Sequence, residues 1–190
     1  MFHLGMWRER LRNGFADFAE GRPFTPPPAN IDELNDAELA NGIGTPLADA
    51  AARSDHLLAE IIALYSKLGD KPFEWGLAKT TTAAVLRNSY THGRVHLREY
   101  LKENGEGSRA DVLFENAYEE MKAADAPPLI MGTVAYNLAC VRADQGRLDE
   151  AIEALEEALQ LRPEIKEAAP TDSDFEPLYD DPRFRELVKG

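Results

Sequence analysis

Thiol chemistry is nearly missing from this 190-residue chain: it has one cysteine, Cys140, so no intramolecular disulfide can form. That fits a reducing, cytoplasmic compartment. Cations are also scarce, with 21 Lys and Arg against 34 Asp and Glu, a net charge of −13. Such a balance excludes nucleic acid and anionic membrane surfaces as partners, because phosphate binding needs clustered Lys and Arg. No apolar run approaches the roughly 20 residues that span a bilayer. The opening Met1-Phe2-His3-Leu4-Gly5 lacks the basic start and long apolar stretch of a secretion signal. Nucleophile elbows, phosphate loops and the His-Glu-x-x-His pattern are all absent. Hydrophobic residues, at 44%, suffice for a packed core.

β patterning is missing too, and the periodicity that exists is helical. Leu4, Trp7, Leu11, Phe15 and Phe18 predict an amphipathic helix over 2–20, ended by Gly21. Pro23 and Pro26-Pro27-Pro28 impose an extended connection. Ile31–Ala40 reads as a short helix. Thr45-Pro46 opens a long one carrying Leu58, Ile61, Ile62 and Tyr65 to Gly69. Lys71-Pro72-Phe73-Glu74-Trp75-Gly76 reads as a loop with two anchoring aromatics. A third long helix is expected from about Thr80 to Glu103, with a wide apolar face suited to a bundle. Further helices fall near 109–124, 131–144, 148–160 and 182–189.

Charge divides the chain unevenly. Residues 1–106 carry 12 Lys and Arg and 15 Asp and Glu, whereas 107–190 carry 9 and 19. The change falls at Asn104-Gly105-Glu106-Gly107-Ser108, a helix stop and restart, and sets the expected modules at 1–106 and 107–190. In the second, Asn137, Leu138, Ala139, Gly146, Ala151, Leu155, Ala158 and Pro163 follow a spacing that resembles one tetratricopeptide repeat over 132–163. The alanines allow close helix approach, the leucines fill the seam and Gly146 makes the turn. Arg142 departs from the pattern, standing where that family has a large aromatic. Phe175-Glu176-Pro177-Leu178 and Asp181-Pro182-Arg183-Phe184 look like a capping tail. About three repeats normally bury a common core, so a single one needs another surface; the N-terminal bundle is the expected one. The tail then serves either as a groove for a partner peptide or as a rigid cap. Cys140, within an apolar helical stretch, reads as core and not as a nucleophile.

The four histidines are His3, His56, His92 and His96. His92 and His96, four apart on one helix, can present both imidazoles to a single metal ion. Phe2-His3-Leu4-Gly5-Met6-Trp7 resembles the DinB-like helix that carries a metal-binding histidine shortly before a tryptophan. Asn88-Ser89-Tyr90-Thr91-His92-Gly93-Arg94-Val95-His96-Leu97 resembles the last helix of that bundle. The Ile31–Asn35 linker is similar to the DfsB and ClbS branch of the superfamily. The resemblance covers about residues 1–104 and gives His56 no role. It implies a down-up-down-up helical bundle with a divalent cation, Zn²⁺ or Ni²⁺, held by His3, His92 and His96. It further implies an open position for water or a low-molecular-weight thiol. Tyr90, Arg94 and Tyr100 are candidates to orient a ligand; Arg94 serves equally as a surface charge and the tyrosines as core.

The family bundle has a helix ahead of the first histidine, and here His3 follows the start by two residues. The expectation is a bundle lacking its first helix, with Trp7, Phe15 and Phe18 partly uncovered unless the tail or a second copy in a homodimer covers them. The expected fold is therefore all-α, a DinB-like up-down bundle followed by a tetratricopeptide-like hairpin. The expected activity is a metal-dependent, thiol-dependent transfer or hydrolysis on a small-molecule substrate, with a protein partner through the tail. The alternative is a non-catalytic scaffold on a degenerate bundle. Stoichiometric metal separates the two.

Overall fold

The computed structural model describes residues 1–28 and 30–189. Among these the chain is all-α apart from one two-stranded hairpin, and it packs as two compact units, Met1–Gly93 and Arg94–Gly190. The division falls inside a helix, upstream of the Asn104–Ser108 stretch.

The first unit holds α1 (Phe2–Ala19), α2 (Ile31–Leu39), α3 (Leu47–Leu68), β1 (Pro72–Trp75), β2 (Ala78–Thr80) and α4 (Thr81–Val85). Leu11 and Phe15 of α1 meet Leu57 and Ile61 of α3, all at most 4% exposed. Full burial of such side chains stabilises by about 1.5–3 kcal/mol each. The polar contacts climb both helices together: Glu9 with Arg53, Arg8 with Ser54, Arg12 with Glu60. Thus α1 and α3 run parallel and do not alternate as the resemblance implies. The connection over 20–46 is long enough to return the chain to its starting end.

The expected single helix over 80–103 forms in three sections: α4, a π-helical turn at Leu86–Thr91, and α5 (His92–Glu103). Thr80 caps it, its hydroxyl accepting the Ala83 N–H at 3.2 Å. His3 faces His92 and Trp7 faces Asn88, so the π section runs antiparallel to α1.

The stretch expected to be a loop is a hairpin instead. Trp75 pairs with Ala78 across a Gly76-Leu77 turn, and Phe73 and Trp75 alternate onto one buried face. The Thr81 hydroxyl locks its ends, accepting from Lys71 N–H at 3.0 Å and donating to Gly69 O at 2.7 Å. Strands this short carry too little alternation to register in sequence. The hairpin also corrects the expectation of uncovered aromatics for Trp7 and Phe15, whereas Phe18 stays only half-buried. Phe73 meets the Phe15 ring at 5.0 Å, Phe24 stacks on Phe73 at 4.6 Å, and Trp7 and Phe15 are buried within the unit.

The second unit contains the later turns of α5, α6 (Gly107–Ala123), α7 (Pro128–Asp144), α8 (Leu148–Leu161), three 3-10 segments between Pro163 and Leu178, and α9 (Pro182–Val188). α7 buries residues around its whole circumference, among them Ile130, Val134, Ala139 and Val141, as a central helix must. α8 is amphipathic, burying Ala151, Ile152, Leu155 and Ala158 against it. Gly146 turns the pair at φ +71°, a conformation a side chain resists. Within this unit α7 is flanked by α6 on one side and by the segment carrying Phe175 and Leu178 on the other, both residues fully buried. Asp181 caps α9 by accepting the Arg183 N–H at 2.8 Å.

Candidate functional site

His3 lies in the first turn of α1, and His92 is the residue directly after the π turn. Their Nε2 atoms are 3.0 Å apart and the rings cross at 84°. α5 continues through the division between the units and carries His96 one turn beyond His92. His92 and His96 thus stand four apart on one continuous helix. His3 and His92 are half-buried and His96 is exposed.

The first pair is held from behind by Trp7, whose ring stands edge-on to both imidazoles at 6.4 Å. Trp7 is itself fixed at two points. Its indole N–H donates to Asn35 Oδ1 at 3.0 Å, and its carbonyl accepts from the Asn88 amide at 3.0 Å. Glu99, one turn beyond His96, places a carboxylate oxygen 3.2 Å from His96 Nδ1. A carboxylate on Nδ1 holds the N–H there and turns Nε2 into an acceptor.

Chemically, two facing imidazole nitrogens can share one proton or bind one ion. With bonds of about 2.0–2.1 Å, two ligand nitrogens stand about 3.3 Å apart on a tetrahedral ion and about 2.9 Å apart at adjacent octahedral positions. The observed 3.0 Å lies in that range. An all-imidazole donor set suits Zn²⁺ and Ni²⁺.

Of the candidate orienting residues, Tyr90 sits half-buried in the π turn. The half-buried Arg94 donates to Glu120 of α6 at 3.2 Å, and Tyr100 is 58% exposed. His56 is exposed, 3.5 Å from Glu60. Asn35, Asn88 and Glu99 were not singled out by sequence. Only Asn88 left a signal, as a poor helix former at the middle of a long helical pattern.

In the second unit the residues of the repeat pattern lie where that spacing requires, with Ala139, Ala151, Leu155 and Ala158 fully buried. Arg142, in place of an aromatic, is explained by its ion pairs with Glu115 of α6 and, at 3.5 Å, Glu150 of α8. Its methylene stem fills the space while its charge is met at the edge. Glu157 accepts the Tyr118 hydroxyl at 2.7 Å. Cys140 is buried, and desolvation, followed by the Asp172 and Asp174 charges, pushes its thiol well above the ordinary range. It is an inert thiol.

Residues 132–165 match the tetratricopeptide repeat family, a helical-hairpin class that builds protein-interaction surfaces. No curated protein and no solved structure matches the chain. Among the described residues no helix is long and apolar enough to cross a membrane.

Proposed function

We propose that the first unit, with the start of α5, is a DinB-like metal-dependent enzyme that transfers a low-molecular-weight thiol to a small electrophile or hydrolyses it. The repeat then serves as its protein-interaction module. One observation carries the reading: His3 and His92, 89 positions apart, bring their Nε2 atoms to 3.0 Å. His3, His92 and His96 would hold a Zn²⁺ or Ni²⁺ ion. Such an ion supplies a Lewis acid that lowers the pKa of water or thiol toward neutrality. Trp7 keeps the His3 and His92 rings in their crossed orientation and excludes water from behind them. Glu99 commits the His96 tautomer. Tyr90, Arg94 and Tyr100 are the candidates to orient a substrate.

Elemental analysis of the purified chain beside His92→Ala tests this. Near-stoichiometric transition metal in the parent, lost in the variant, is the expected result and leads to assays of thiol transfer and hydrolysis. A parent that stays metal-free after soaking with Zn²⁺ or Ni²⁺ refutes it. The rival reading, a non-catalytic scaffold, would then stand.

A further inference from the structure

After α8 the chain turns back on the repeat, and its 3-10 segment Ser173–Leu178 packs on α7. The backbone bonds of this stretch are local. Phe175 N–H donates to Asp172 O and Asp181 N–H to Leu178 O, and among the described residues none joins it to α5, α6 or α7. Side chains make the attachment. Asp172 Oδ2 accepts the Tyr136 hydroxyl at 2.7 Å, and Asp174 Oδ2 accepts from Arg98 Nη1 at 2.8 Å. Phe175, fully buried, stands edge-on to the Tyr136 ring at 5.2 Å. Two acids two positions apart and a following aromatic thus dock as a linear peptide docks on a folded surface, by anchors spaced along the chain.

The fit is incomplete. Asp174 engages Arg98 through Nη1, while Nε and Nη2 of the same guanidinium are buried without a hydrogen-bond partner. A two-pronged carboxylate contact is the stronger arrangement. A cleft of about 190 Å³ remains alongside, walled by Arg98, Glu99, Tyr136, Cys140, Asp172 and Asp174. Segments tied to their neighbours by few hydrogen bonds are the ones that open locally while the rest stays folded.

We propose that this stretch is a tethered occupant of the repeat's own recognition face. When it opens, α7 together with Arg98 takes a partner segment of the same chemistry, two acids two positions apart followed by an aromatic. Arg98 and the Tyr136 hydroxyl select the carboxylates, and the Tyr136 ring selects the aromatic. Lys102, 3.7 Å from Asp174 Oδ1, adds a second positive charge to this face of an otherwise acidic unit. The inference rests on the interaction role given to the repeat and not on the histidine pair, and its test involves no metal.

Cys140, the only thiol, lies one turn beyond Tyr136, 3% exposed, beside Asp172 and Asp174 in the wall of the cleft. Opening of the tail uncovers it. The test is the rate at which N-ethylmaleimide labels the full native chain in rising urea, followed by mass, beside Asp174→Asn and Tyr136→Phe. Each substitution removes one anchor and keeps the shape of the side chain. Parent labelling is expected to be slow and nearly independent of urea well below the unfolding midpoint. Each variant is expected to label roughly tenfold faster, the scale of one charged hydrogen bond, with its helical circular dichroism retained.

A tethered segment acts at an effective concentration on the order of millimolar, so a synthetic peptide of residues 170–181 is added at about that level. It is expected to slow the labelling of Asp174→Asn, whereas a peptide carrying Asp172→Asn and Asp174→Asn does not. Parent labelling that rises with urea as steeply as global unfolding overturns the proposal. So does a peptide that leaves the labelling of both variants unchanged. Labelling that slows as the chain itself is concentrated assigns the face to the tail of a second copy and overturns a separate partner. If circular dichroism finds one variant unfolded, the other decides together with the urea dependence of the parent.

Discussion

Replacing Gly14 by alanine sets two effects of known size against each other. In the middle of a helix the substitution ordinarily stabilises by about 1 kcal/mol, through lost chain entropy in the unfolded state. On α1, however, a Cβ at position 14 would stand 2.6 Å from Trp75 Cζ3 and 3.1 Å from Cη2. Trp75 has little freedom to retreat. It is 6% exposed, stacked on Phe73 at 5.6 Å, with Phe24 at 6.3 Å. Overpacking of this kind costs about 1–3 kcal/mol. The expected net is a loss of about 1 kcal/mol, and Gly14→Ala should unfold at lower urea than the parent. Both tryptophans, Trp7 and Trp75, belong to the first unit, so intrinsic fluorescence follows that unit alone. Gly107→Ala, at the first position of α6 where a Cβ meets nothing within 4 Å, is the control. Monitored by far-ultraviolet circular dichroism, it should be neutral or stabilising. In a Trp75→Phe background, where the clashing ring is gone, Gly14→Ala should regain the ordinary helix benefit. A Gly14→Ala chain more stable than the parent would refute the close contact between α1 and the hairpin.

Asn88→Asp sets a carboxylate against the Trp7 carbonyl in a site 7% exposed. It should lower the fluorescence-monitored stability by about 1–3 kcal/mol, more than Asn88→Ala does; equal losses would mean the amide is not bonded there. Asp181→Ala removes the cap of α9 and should cost about 1 kcal/mol, read as earlier loss of helical signal from the second unit. The Tyr118 phenol is pushed up to about 12 by burial first and then by its bond to Glu157. The folded state therefore holds this proton more tightly than the unfolded chain, whose tyrosine titrates near 10. The resulting stability is fully present below pH 10 and is lost as pH rises through 12. Tyr118→Phe should flatten the fall in stability over that window, and an unchanged alkaline profile would contradict the Tyr118–Glu157 bond.

Helical periodicity survives in sequence because it depends on neighbours three and four apart, so α1, α3, α6, α7 and α8 were legible to within a few residues. Leu11 and Phe15 on one stripe must face a core whatever lies opposite. Caps and stops were equally local, as at Pro182 and Gly146. The hairpin was not legible, because its stability comes from Phe15, Phe24 and Thr81, which lie outside it. Nor was the parallel course of α1 and α3, since a long connection permits either direction.

For the candidate sites the same division holds. His92 and His96 share a face by helical geometry alone, and their spacing was enough to nominate them. The proximity of His92 to His3 needs α1 to lie antiparallel to the π turn, with Trp7 clamped by Asn35 and Asn88. Those contacts join residues 28 and 81 positions apart. The ion pair of Arg98 with Asp174 is still less visible in sequence, because Asp174 reaches it from 76 positions further along the chain. What the sequence by itself determined was helix content, acidity and the two histidine-bearing segments, all properties of short windows. Which distant polar groups meet, and which donors remain unmet, was decided only by tertiary packing, where contact follows shape complementarity and not spacing along the chain.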